Sequence, residues 1–100
     1  MRPVFLSACL AIGLFVVSAL PVAAEDGCKL YPTGSVISYS YDLVGPEACL
    51  SHCAQTQGCV AWSYTPHNFN PKTAPGECRL LPDAGTREAH ARDFCGVVDG

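Results

Sequence analysis

The chain is short of charge, and of basic charge above all. Only 15 of its 100 residues are Asp, Glu, Lys or Arg, and six of those are basic. The six are scattered, so no basic patch or stripe is available to hold phosphates or an anionic lipid surface; nucleic acid and anionic membrane are excluded as expected partners. No Cys-x-x-Cys occurs, which removes the signature of a paired zinc site and of a thioredoxin-like redox motif. There is no internal repeat and no low-complexity tract. A catalytic constellation is also missing. Ser51 and His52 are neighbours, and on a helix adjacent side chains point in different directions. Glu47, Glu77 and Asp83 show no pairing pattern. Nucleophile, base and positioned partner are not assembled by any spacing in the chain, so no enzymatic activity is expected.

What is present begins with a leader. Met1 and Arg2 form a short positive start, and Val4 to Leu20 is apolar apart from Ser7, Gly13 and Ser18. Pro21 and the small residues Val22-Ala23-Ala24 follow, then Glu25-Asp26. This is the layout of a secretory signal peptide cut after Ala24, and the apolar run is at the short end of what spans a bilayer. Residues 1–24 are therefore expected to be a signal peptide and residues 25–100 one exported domain, secreted or periplasmic, with no membrane segment after cleavage. Leu6-Ser7-Ala8-Cys9 matches a lipoprotein processing signal but lies at the start of the apolar run, so Cys9 is expected to be an inert leader residue.

Cleavage leaves 76 residues, of which 31 are apolar, about 41%. Losing Arg2 leaves five basic against nine acidic residues, a net charge of −4. A domain of this size has a modest core and commonly needs covalent staples. Six cysteines supply them: Cys28, Cys49, Cys53, Cys59, Cys78 and Cys95. In an oxidising compartment these read as three disulfides, each contributing typically 2–4 kcal/mol. The spacing leaves all 15 possible pairings open.

Ile37, Tyr39, Tyr41 and Leu43 alternate with polar residues, which predicts a half-buried strand. Pro46 at a first helical position and Glu47 in the first turn predict a helix from Pro46 to about Gln57, ended by Gly58. Cys49, Leu50, Cys53 and Ala54 then share one face. Val60, Trp62 and Tyr64 alternate with Ala61 and Ser63 as a second strand. Arg79-Leu80-Leu81 is a short third strand stopped by Pro82, and Phe94 to Val98 is a closing strand. Asp83 to Asp93 is polar and weakly patterned. Strands around a single helix indicate an α+β domain.

Three stretches carry a resemblance: Gly45-Pro46-Glu47-Ala48-Cys49-Leu50-Ser51-His52-Cys53, Gly58-Cys59-Val60-Ala61-Trp62-Ser63-Tyr64, and Cys78-Arg79-Leu80. Together with the closing Cys95-Gly96-Val97-Val98-Asp99-Gly100, this pattern resembles the PAN/apple domain family, over about Cys28 to Val98. The resemblance implies a curled antiparallel sheet cradling one helix. It implies the bridges Cys28–Cys95, Cys49–Cys78 and Cys53–Cys59, the first being particular to the apple-type version. It further implies a non-catalytic binding module for protein or carbohydrate ligands, with no cofactor. A single module with nothing attached departs from the family's habit of serving within larger secreted proteins.

Candidate contact residues follow from the loop Thr65 to Glu77, which contains three prolines. His67, Asn68, Phe69, Asn70 and Lys72 lie on it, and function concentrates on loops set on rigid scaffolds. Trp62 and Tyr64 are expected in the core beneath the helix. Tyr39 and Tyr41 fit core or binding surface equally. His52, His67 and His90 lack metal-ligand spacing, so no metal is expected. The alternative to a binding module is a small cysteine-stabilised secreted effector or protease inhibitor, although Kunitz-type cysteine spacing is absent.

Overall fold

A computed structural model describes residues 25–98. The leader, its cut after Ala24, Cys9 and the last two residues lie outside the described residues. The elements run β1 Glu25–Tyr31, β2 Ser38–Ser40, α1 Pro46–Ala54, β3 Ala61–Thr65, β4 Glu77–Leu81 and β5 Thr86–Val97. The strands form one antiparallel sheet in the order β1-β5-β3-β4-β2. The α+β class and the single helix on an antiparallel sheet are as the sequence leads one to expect.

Register assigns the two faces. Ser38, Leu80, Trp62 and Gly96 are aligned across β2, β4, β3 and β5, and so are Ser40, Cys78, Tyr64 and Phe94. Helix α1 covers this face. Cys49, Leu50 and Cys53 of the helix pack there against Trp62, Tyr64, Cys78 and Leu80, with Leu43, Cys59, Phe94 and Val98 at the margins. Alternation places Tyr39, Arg79, Ser63 and Cys95 on the opposite face, hereafter the far face. At one end of it β1 closes over the sheet, and a second cluster forms from Cys28, Leu30, Ala61, Leu81 and Cys95.

Three disulfides hold these layers. Cys28–Cys95 joins β1 to β5, Cys49–Cys78 joins the helix to β4, and Cys53–Cys59 ties the helix end to the approach to β3.

Several local expectations need correction. The helix ends at Ala54 rather than near Gln57. Gln55 N–H reaches back to the Ser51 and His52 carbonyls, and the Thr56 hydroxyl donates to the His52 carbonyl, so the end is capped early. Gly58, at φ +88°, instead turns the chain back to Cys59. The strand expected over Ile37–Leu43 is only three residues long. It lies on the sheet edge, with Ile37, Tyr39 and Tyr41 facing solvent and the serines turned towards the helix side. In β3 Ala61 and Ser63 are enclosed as fully as Trp62 and Tyr64, because β1 covers their side. The polar stretch Asp83–Asp93 holds most of a long strand, since β5 starts at Thr86, and β1 is a further strand that alternation did not single out.

Candidate functional site

The loop between β3 and β4 is built around His67. Its Nδ1 accepts the N–H groups of Phe69 and Asn70, each at 3.1 Å. The Asn70 carbonyl accepts from Thr73 and Ala74, closing a second turn. The loop base is attached to β5 through Arg92, whose guanidinium donates to the carbonyls of Pro66 and His67 at 3.4 and 3.5 Å. On this support Phe69 is 85% exposed, touching the His67 ring edge-on. Asn68 and Asn70 are exposed beside it. Lys72 is placed elsewhere, on a cleft of about 380 Å³ walled by Val44, Pro46, Pro66, Pro71 and Phe94. The loop thus brings His67, Asn68, Phe69 and Asn70 together and turns Lys72 to a separate, mostly apolar opening.

The open end of the far face carries a second group, which the sequence reading only partly foresaw. β1 contributes Lys29 and Tyr31, two residues apart and therefore on the same side of the strand. β4 contributes Glu77 and Arg79, β2 contributes Tyr39, and Tyr41 follows it. Lys29 Nζ is 3.8 Å from Asp93 Oδ2, and Arg79 Nε is 3.9 Å from Glu77 Oε1. The Tyr31 ring lies under both cations, 5.8 Å from Lys29 and 5.9 Å from Arg79. Arg79 is fixed further by donating to the Leu30 carbonyl. The Tyr41 hydroxyl donates to Glu77 at 3.2 Å.

Asp93 is the buried member of this group, at 4% exposure. Thr65 Oγ1 donates to it at 3.1 Å, and His90 Nδ1 stands 3.7 Å away. These positions come from an irregularity in the β1–β5 ladder. Asp26 is opposite Phe94 while Cys28 is opposite Ala89, so residues 90–93 face only Gly27. Gly27 accommodates the excursion at φ +78°. The excursion forms one wall of a cleft of about 380 Å³ lined by Lys29, Thr65, His90, Arg92 and Asp93. Lys29, Tyr31 and Asp93 were missed from sequence. Lys29 and Tyr31 alternate with Cys28 and Leu30, but the run is only four residues, the short limit of a strand signal.

Among the described residues no group of three or more His, Cys, Asp or Glu side chains could hold a metal ion. No helix among them is long and apolar enough to cross a membrane. His52 is half-buried on the helix, and His67 and His90 serve the two separate groups above.

Comparison with known proteins returns one finding. A family model described as PAN domain matches residues 31–81, which takes in β2, α1, β3 and β4 with four of the six bridge cysteines. No curated protein and no solved structure matches the chain.

Proposed function

Because the chain belongs to the PAN domain family, a family of protein- and carbohydrate-binding modules that are generally not catalytic, we propose that it is an exported binding module. In this reading the loop between β3 and β4 forms a contact surface. The observation that carries it is Phe69: a large apolar ring left in water on a loop whose backbone is held by His67 and Arg92. A preformed loop loses little conformational freedom when a ligand covers it, which favours binding. Asn68 and Asn70 flank the ring with amide donors and acceptors, while Lys72 stands apart on the neighbouring cleft. Export is supported by the three disulfides, which persist in oxidising compartments.

The test is a screen of the oxidised domain against a glycan array and a panel of purified surface proteins, followed by Phe69→Ala and Asn70→Ala on the partner found. Truncating an exposed ring leaves the fold intact, so a loss of about tenfold in affinity is a contact effect. Binding unchanged in both variants removes the loop from the interface.

A further inference from the structure

The open end of the far face gathers a second group of charged and aromatic side chains, separate from the loop. Side chains there form a continuous line: Asp93, Lys29, Tyr31, Arg79, Glu77 and Tyr41, with Tyr39 beside Arg79. Three features define what it can hold.

The first is charge. Each cation on the line has a carboxylate within ion-pair distance, Lys29 with Asp93 and Arg79 with Glu77. The formal charges cancel, so little net field remains to attract an acidic or a basic ligand. Both pairs stand at 3.8–3.9 Å, beyond hydrogen-bond contact. Asp93 and Arg79 Nε are enclosed, and Lys29 and Glu77 are the members that reach solvent, one a donor and the other an acceptor; a hydroxyl, which donates and accepts, can meet either.

The second is ring surface. Tyr31, Tyr39 and Tyr41 are 38%, 53% and 64% exposed, whereas Trp62 and Tyr64 on the helix side of the sheet are fully buried and Phe94 is partly so. Tyrosine offers an apolar ring face with a polar tip at small entropic cost, and it is enriched where surfaces recognise ligands. The C–H face of a sugar ring fits such a surface, while its hydroxyls can reach Lys29 and Glu77 at the flanks.

The third is construction. The four residues 90–93 leave the regular ladder opposite Gly27 and place His90 and Asp93 against Lys29 and Thr65. Strand irregularities of this kind re-aim side chains and are over-represented next to functional sites. Burying a carboxylate is costly unless it is paired; here Thr65, Lys29 and His90 hold Asp93 oriented towards the cleft of about 380 Å³ that they line.

We infer that this face binds a neutral oligosaccharide, with its sugar rings on Tyr31, Tyr39 and Tyr41 and its hydroxyls on Lys29 and Glu77, the exposed members of the two ion pairs. The inference rests on the reading of the chain as a binding module but assigns a different surface from the loop. The experiment probes the oxidised domain with an array holding neutral, sialylated and sulfated oligosaccharides and measures retained ligands by titration at low and high salt. Expected is retention of neutral oligosaccharides that survives high salt, weakened about tenfold by Tyr39→Ala and by Tyr41→Ala while melting temperature is preserved. Gln57→Ala, an exposed position outside both this face and the loop, should leave this binding intact. Retention confined to sulfated or sialylated glycans and abolished by salt would overturn the neutral-ligand assignment. So would neutral-glycan binding indifferent to a Tyr39→Ala/Tyr41→Ala double variant. Binding to purified proteins with no glycan retained overturns this inference and leaves the binding-module reading standing; no binding to either class overturns both.

Discussion

The Tyr64 hydroxyl donates to the carbonyl of Leu43 at 3.1 Å, linking the middle of the sheet to the segment that leads into the helix. The same oxygen accepts the N–H of Gly45 at 2.8 Å and of Gly76 at 3.1 Å. One buried phenol therefore fixes the entry to α1 and the exit from the loop. The helix has no side-chain cap at Gly45, so this bond does part of a cap's work. Tyr64→Phe keeps the ring and strands these backbone groups, and should cost about 1–2 kcal/mol. Urea unfolding measures it; a loss below a few tenths would mean that water replaces the phenol freely.

The bridges should differ in value because they close loops of different length. Cys28 and Cys95 are 67 residues apart and Cys53 and Cys59 only six. If the main effect is on the unfolded chain, these correspond to about 4 and about 2 kcal/mol. Replacing each pair by alanines should rank the variants in that order by urea midpoint. Full reduction should abolish cooperative melting, since a core of this size has little stability to spare. A disulfide map by non-reducing digestion and mass spectrometry tests the pairing directly.

Gly96 stands where Trp62, the sole tryptophan, crosses β5. A Cβ there would lie 2.9 Å from the indole, closer than side-chain atoms come. Gly96→Ala should force the ring or the strand to shift and cost about 1–3 kcal/mol. Trp62 fluorescence reports it without a label: a displaced emission maximum is expected, and an unchanged spectrum with unchanged stability would show that the contact relaxes freely.

The helix, its inward cysteines, β3 and β4 were legible because each has a local signal: Pro46 and Glu47 at a start, a period of two in Val60–Tyr64, Pro82 at a stop. β1 and the first half of β5 were not. Thr86 to Arg92 is polar and mostly exposed, so no hydrophobic period marks it. Its strand form is decided by pairing with β1, a contact distant in sequence. Tyr39 and Tyr41 show the opposite failure. Their alternation is real, but alternation does not say which face is covered, and here the helix lies on the serine side. The loop candidates were legible as a loop; that His67 organises its turn and that Lys72 leaves the group depends on geometry that no spacing encodes.

Asp83 anchors the turn after β1 to the turn before β5. Its carboxylate accepts the N–H of Thr33 at 2.9 Å and of Gly34 at 3.1 Å. The Thr33 hydrogen bond first, then that of Gly34 with help from the Thr33 side chain and Gly85, holds its pKa below the ordinary aspartate value. A depressed carboxyl pKa stabilises the fold above the unfolded-state value, about 3.9. The stabilisation is lost as pH falls from there through the lower folded value. Asp83→Ala should therefore melt below the parent chain at neutral pH, and the gap should narrow only once pH drops under about 4. Melting curves of both proteins down to strong acid measure it. The carboxylate is close to solvent, so the gap should also shrink in high salt. A difference that stays constant across the acid range would show that Asp83 acts through packing and not through its charge.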